Sequence, residues 1–411
     1  MMFCQGLKTV FSLRRRNLFD KYTYTVANHF SQLNLAAWDH VNAGQNIFLS
    51  STYLKTLASD EADALQYRYV IVYYQKNPVA IAFMQVINFS AELLGELVVQ
   101  RFNDLQNKRA SLFNKYVQKN RDMVIFRLLT FGNNYISGEH GMAFSKDFNL
   151  AEKYDLMYQV IKLISGQEKL RGKISAVLVK DFEQPISPEI NPFTQNRYLE
   201  FAVEPNMLIK IPDNVHSIED YVNLFSKKYR KRAKSIFNSS SQVSVRELDG
   251  SEIQSRNDEI YALYLQVFKN AKFKLVQLPS DYFLSAKKNF QDKFLIHGYF
   301  FQDKLVGFQS AYLLDDHQLE AHFIGFDYEN NARFELYQNM LYGFIRIALQ
   351  YGKTQVNLGR TASEIKSTVG AKPQNLYCYI KPQNSVSKLI LQPFISFLQP
   401  AQWVPRNPFR E

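Results

Sequence analysis

Two stretches in opposite halves of this 411-residue chain carry the same layout, and a chain that repeats itself must build the same unit twice. "YRYVIVYYQKNPVAIAFMQVI" (67–87) alternates aromatic and β-branched residues, turns at Lys76-Asn77 and returns apolar. "FLIHGYFFQDKLVGFQSAYLL" (294–314) does the same around Asp303-Lys304, and without a gap Gln75 coincides with Gln302 and Val79 with Val306. Strand formers bounded by turn residues predict β-hairpins. Further along, "YDLMYQVIKLISGQEKLRGKISAVLVKD" (154–181) and "FELYQNMLYGFIRIALQYGKTQVNLGR" (334–360) share Tyr-Gln and then Gly-Lys in the same order. Each reads as an amphipathic helix, a short loop and a buried strand, half of an α/β unit. The spacing is too long for a solenoid and predicts a duplicated domain. The expected fold class is α/β (α+β), with domains at 23–205 and 206–385 and tails at 1–22 and 386–411.

Between the halves, Ser217 and Asp220 have capping-box spacing, which predicts a helix start. Val222, Phe225, Tyr229, Ala233 and Ile236 then form one apolar stripe on a single expected helix, ended by "NSSS". Its other face carries Lys227, Lys228, Arg230, Lys231, Arg232 and Lys234 with no acidic residue among them. Like charges one turn apart cost a helix a few tenths of a kcal/mol per pair, so an uncompensated run points to an anionic partner and salt-dependent binding. A formal net charge of +11 agrees with a polyanion but does not choose among nucleic acid, a nucleotide-linked substrate and anionic lipid.

Cys4 and Cys378 cannot build a disulfide framework, which suits a reducing, cytoplasmic setting. The seven histidines are scattered, with no zinc-ligand spacing, so no metal site is expected. No run reaches the roughly 20 apolar residues that span a bilayer. At the N-terminus the arginines follow the apolar stretch, the reverse of a secretory signal. "LILQPFISFLQPAQW" (389–403) is apolar but broken by Pro393 and Pro400, a segment expected to lie on a surface, the protein's own or the inner face of a membrane.

The candidate chemistry gathers near "NLGRTASEIKSTVGAKP" (357–373). A strand at 354–358 would end at Gly359, leaving Arg360 at the carboxyl edge of a sheet, where open α/β folds bind ligands. Thr361 or Ser363 would cap a short helix presenting Glu364 and Lys366, and Gly370 would end it. Arg and Lys suit phosphate or carboxylate, and Glu364 would orient Lys366 or act as a base. On "QLEAHFIGF" (318–326), Glu320 and His322 share a face by strand periodicity, so either is a base if that face is the cleft. Gln309 is either a hydrogen-bonding group for a peptide-like acceptor or a satisfied core side chain.

Together these features resemble the double GNAT-fold transferases, most of all the Fem-type peptidoglycan-bridge aminoacyltransferases and their acetyltransferase-like relatives. The resemblance rests on "AAWDHV" (36–41), "IFLSSTYLKTLA" (47–58), the Lys-x-x-Arg-Lys-x-x-Lys run within "YVNLFSKKYRKRAKSI" (221–236) and "NLGRTASEIKSTVGAKPQNLYCYIKP" (357–382). It implies two GNAT-like domains in tandem, each a mixed, mostly antiparallel sheet flanked by helices. It implies transfer of an acyl or aminoacyl group to an amine, such as a cell-wall precursor, with the donor a co-substrate rather than a resident cofactor. It makes Lys366 a contact for a nucleic-acid acyl donor and Arg230 its counterpart on the basic helix, beside Lys227, Lys231 and Lys234. Positive groups from two helices would then converge on one anionic carrier. One departure matters: acetyl-CoA enzymes cradle pyrophosphate with a glycine-rich turn, and "DYENNARFEL" (327–336) has no glycine. This favours aminoacyl-tRNA or an acyl carrier over acyl-CoA, with an acyl-CoA-dependent N-acetyltransferase as the alternative. A non-catalytic protein binding nucleic acid or a membrane surface through the basic helix is the rival of another class. The first half has "VKDFEQPISPE" (179–189) where the second has Arg360 and Lys366, so it is expected to be catalytically silent and to shape the acceptor groove.

Overall fold

A computed structural model describes residues 16–18, 21–58, 65–90, 124–168, 171–271, 276–384, 387–388, 395, 399–400 and 403–410. Residues 1–15, Cys4 included, and most of the apolar 389–403 stretch fall outside these. The strands are β1 (Arg16–Leu18), β2 (Tyr22–Ala27), β3 (Leu65–Tyr74), β4 (Asn77–Ser90), β5 (Val124–Phe131), β6 (Met142–Phe144) and β7 (Ala176–Phe182) in the first half. β8 (Leu199–Lys210) crosses the middle, and β9 (Ser244–Glu247), β10 (Phe294–Phe301), β11 (Lys304–Leu313), β12 (Gln318–Phe326), β13 (Gln355–Asn357) and β14 (Lys372–Pro382) follow. The helices used below are α1 (Leu35–Asn42), α2 (Ser51–Leu57), α3 (Lys153–Glu168), α4 (Ile218–Asn223), α5 (Lys227–Ser239), α6 (Asn257–Asn270), α7 (Tyr282–Phe290), α8 (Tyr328–Phe334), α9 (Leu336–Gln350) and α10 (Ser363–Ser367).

Both expected hairpins form, β3 with β4 and β10 with β11. Their turns sit one residue earlier than the composition suggests. Gln75-Lys76 and Gln302-Asp303 all have positive φ (48°, 72°, 49° and 62°), the left-handed pair that lets a two-residue turn follow strand twist. In each half the hairpin leads to a parallel pair, β5 with β7 and β12 with β13, bridged by α3 or α9.

The halves then exchange strands. The sheet runs β1-β2-β3-β4-β5-β7-β14-β8-β13-β12-β11-β10-β9, so β14 from the end of the chain adds to the first half's β7, and β8 adds to the second half's β13. β8 and β14 pair antiparallel along most of their length at the seam. Residue 205, the expected boundary, falls inside β8.

One face of this sheet carries an apolar cluster common to both halves, including Trp38, Tyr53 and Phe83 from the first and Tyr282, Phe308 and Tyr312 from the second. Each such side chain contributes roughly 1.5–3 kcal/mol on burial. On the other face α3 covers the first half through Val160, Ile161 and Ile164, and α9 covers the second through Leu341, Ile345 and Ala348.

The basic segment is two helices rather than one. Ser217 and Asp220 make the expected capping box on α4, but Ser226 is extended, with φ −62° and ψ 159°. The C-terminal segment is the cause: Phe409 bridges Phe225, Ser226 N donates to Pro408 O at 2.8 Å, and Arg410 N donates to Leu224 O at 3.2 Å. Among the described residues, no helix is long and apolar enough to cross a membrane.

Candidate functional site

β12 and β13 run side by side only from Gln318 to Glu320 against Gln355 to Asn357. β12 then continues to Phe326 while the other chain leaves at Gly359, whose φ is +67°. A bulge widens the gap, because Gln309 pairs with Ile324 and Ala311 with Ala321, giving β12 one residue more than β11. Ser310 Oγ spans the bulge, donating to Phe323 O at 2.9 Å and accepting from Phe323 N at 3.0 Å. The splay opens a cavity of about 530 Å³, walled by Phe323, Phe326, Tyr337 and Leu341 among others.

Glu320, His322, Arg360 and Lys366 all line this cavity. Glu320 is buried at 3% exposure, and Asn357 Nδ2 donates to its Oε1 at 3.1 Å. Burial outweighs these hydrogen bonds and pushes its carboxyl up to about 8. His322 accepts or donates a 2.6 Å hydrogen bond with Tyr282 Oη, and burial lowers it to about 3, so its ring is neutral at physiological pH.

Lys366 is only 6% exposed, and its three N–H donors go to Leu358 O (2.6 Å), Gly359 O (3.1 Å) and Arg360 O (2.6 Å). Burial lowers its ammonium to about 7, against the pull of Glu204 and Glu320. The bonds have a local reason. Gly359, Thr361 and Ala362 all have positive φ (67°, 67° and 51°), and a non-glycine residue held there costs about 1–3 kcal/mol. Lys366 holds that loop closed. Neither Thr361 nor Ser363 caps α10; the cap position is Ala362, with no side-chain hydrogen bond.

Glu364 is placed differently from the expectation. It is exposed and accepts from Arg406 Nε at 3.1 Å, so it neither orients Lys366 nor faces the cavity. Residues two apart on a helix point to different sides, and burying Lys366 turns Glu364 out. Gln309 is also away from the cavity, 1% exposed and accepting from Tyr299 Oη at 2.6 Å; it is a core side chain.

Lys227, Lys231 and Lys234 are exposed and Arg230 half-buried, and none of the four lines the cavity. The expected convergence of two helices on one carrier is therefore absent from the cavity wall. The apolar stripe decides this: Ala233 and Ile236 are buried and Phe237 packs edge-on to Tyr342 of α9 at 5.0 Å, sending the lysines to solvent. Arg232 is not uncompensated, because it pairs with Glu335 and donates to Gln338 Oε1 at 2.8 Å. Glu335 occupies the N-cap of α9 with φ +53°, and Asn331 Oδ1 accepts from Tyr337 N at 2.8 Å. A carboxylate and the end of α8 thus stand at the N-terminus of α9, where the chain has no glycine.

The first half contributes two residues that sequence reasoning missed. Lys180 and Asp181, at the end of β7, line the same cavity. Asp181 is fully buried with φ +66°; it accepts from Arg360 Nη1 at 3.0 Å, Lys180 Nζ at 2.6 Å and Gly138 N at 3.2 Å. Burial works against its charge, but Arg360 and Lys180 outweigh it and hold the carboxylate below its usual range. Lys180 also donates to Asn133 O and Ile136 O (2.5 and 2.9 Å), fixing a loop whose Asn134 and Ser137 reach the cavity. The signal was present as an adjacent Lys-Asp pair inside the apolar run "AVLVKDF".

No protein-family model matches this chain, and no curated protein matches its sequence. Among solved structures, FemX superposes with a TM-score of 0.51 at 9% identity, over 87% of this chain and 99% of its own. A tandem GNAT protein from the clavulanic acid biosynthesis pathway gives 0.45 at 6% identity, over 89% and 99%. The fold is the tandem GNAT fold. L-PGS from Bacillus licheniformis is similar at a TM-score of 0.47 and 11% identity, over 85% of this chain and 92% of its own. At such identities the tandem GNAT likeness is one of architecture.

Proposed function

We propose that the chain transfers an acyl group from an anionic carrier to an amine inside the cavity between β12 and β13. The observation that carries this reading is Glu320: a buried carboxyl in the cavity wall, pushed up to about 8 by burial, at the point where two parallel strands part. A general base works best with a pKa close to the working pH. In the proposed step the amine nitrogen attacks the acyl carbonyl carbon. The new C–N bond forms, the bond from that carbon to the carrier's oxygen or sulfur breaks, and the amine proton passes to Glu320 and from it to the departing oxygen or sulfur. Arg360, fixed by Asp181, stabilises the oxyanion with its remaining donors. Lys366 is a positioning residue that sets where Arg360 emerges. His322 lowers no barrier as a base, since an imidazole held near 3 has little affinity for the proton.

Aminoacyl-tRNA or another large carrier is favoured as donor over acyl-CoA. The support is the N-terminus of α9, which carries Glu335, already paired with Arg232, in place of a glycine-rich turn. The deciding experiment supplies purified protein with a mixed amine pool and, separately, a charged tRNA pool or acetyl-CoA, and follows new amides by mass spectrometry. Transfer from charged tRNA that Glu320→Gln abolishes is expected. Transfer from acetyl-CoA alone would replace the donor assignment, and no amide from either donor would overturn the reading.

A further inference from the structure

The strongest feature outside the cavity is a two-part surface along the C-terminal segment and the start of α5. Lys227, Lys228, Lys231 and Lys234 are exposed, and none has a carboxylate within ion-pair distance among the described residues. Glu335 holds Arg232 and Glu364 holds Arg406, so neither carboxylate offsets these lysines. The surface therefore keeps a net positive charge. Arg410 Nε is bonded to Phe225 O, which ties the segment's end to the foot of α5. At its other end the segment exposes Val404 at 59%, and Arg406 bonds Ser367 Oγ and Glu364, the neighbours of Ile365, itself 40% exposed. From Val404 to Arg410 the chain spans at most roughly 20 Å.

We propose that this surface docks on an anionic lipid bilayer, lysines against headgroups and Ile365 and Val404 at the apolar boundary. Lipid fits better than nucleic acid for two reasons on the same residues. Of the arginines, which grip phosphodiesters bidentately, Arg232, Arg406 and Arg410 are occupied by Glu335, Glu364 and a backbone carbonyl and Arg230 is half-buried, leaving mainly flexible point charges suited to a diffuse headgroup layer. The aromatic side chains of α5, Tyr229 and Phe237, pack against the core cluster, so the lysine face offers no stacking platform for bases, while exposed aliphatic side chains have a use at a lipid boundary. Ile365 sits on the same short helix as the cavity-lining Lys366, so docking there sets the cavity beside the bilayer.

The test needs no acyl donor and stands apart from the transferase assay. Purified full-length chain is sedimented with vesicles of phosphatidylcholine alone, or with one quarter phosphatidylglycerol, at about 0.1 M salt. Binding to the anionic vesicles is expected. The triple variant Lys227→Ser, Lys228→Ser, Lys231→Ser should lower it on the order of a hundredfold, and Ile365→Ser with Val404→Ser should lower it severalfold without altering the salt dependence. Circular dichroism checks that each variant is folded. Equal binding to both vesicle types, binding unmoved by the lysine changes, or lysine-dependent binding of free tRNA without vesicle binding would each overturn the proposal.

Discussion

Glu320 owes its proton affinity to position: β12 carries it into a closed wall, with Asn357 the nearest donor. Its stability linkage has a definite sign. The folded carboxyl titrates near 8 and the unfolded one near 4.5, so between these values the folded state binds more protons and loses stability as pH rises. Glu320→Gln should remove that loss, gaining on the order of a few kcal/mol over wild type at pH 8 and little at pH 4, in denaturant titrations. The same variant should lower transfer by about 10²–10⁴-fold, and wild-type rate should climb as pH rises toward 8. Lys366→Ala should cost about 3 kcal/mol of stability, because three loop carbonyls, that of Leu358 buried, lose their donor; Lys366→Met, which keeps the stem, should recover little. A Met variant as stable as wild type would show that the carbonyl bonds matter less than packing. Arg360 and Lys366 were legible together because they follow a strand in one glycine-bounded stretch, whereas Glu320 was readable only as an alternative to His322 on a strand whose cleft-facing side the sequence left open. Glu364 was misjudged because proximity in sequence says nothing about direction on a helix. Asp181 was missed because its meaning depends on Arg360, from the other half of the chain.

Elements read from periodicity were the easiest to foresee, and their joints the hardest. The hairpins, α3, α9 and β13 follow from alternation and apolar spacing. The turns at Gln75-Lys76 and Gln302-Asp303 slip by one because left-handed backbone is imposed there on residues that do not advertise it. The break between α4 and α5 had no local signal, since Phe409 causes it from the far end of the chain. Phe409 lies edge-on to Tyr221 and Phe225 at 5.9 and 5.4 Å, and Tyr221 Oη donates to Val369 O just beyond α10. Phe409→Ala should therefore cost about 2 kcal/mol and loosen α10, seen as faster amide exchange at Val369 and Gly370. Unchanged exchange there would mean that α10 is held without the C-terminal segment.

At the scale of the whole molecule, strand exchange makes the two halves interdependent. β8 and β14 lie between them, the largest apolar cluster draws on both, and Asp181 joins Arg360 across the seam. Duplication was legible in the sequence; exchange was not, because β8 and β14 look the same whichever half they join. The chain should unfold in one cooperative transition, and Asp181→Ala should lower its midpoint by leaving Lys180 and Arg360 unpaired, at about 3–5 kcal/mol. Two separated transitions in calorimetry would contradict this. The proposed transfer depends on a carboxyl poised to take a proton in the splay of β12 and β13. Its most direct measurement is the carbon-13 titration of glutamate side chains in wild type and Glu320→Gln, which identifies the Glu320 resonance by its loss. A midpoint near 8 is expected; a midpoint near 4.5 would rule Glu320 out as the base.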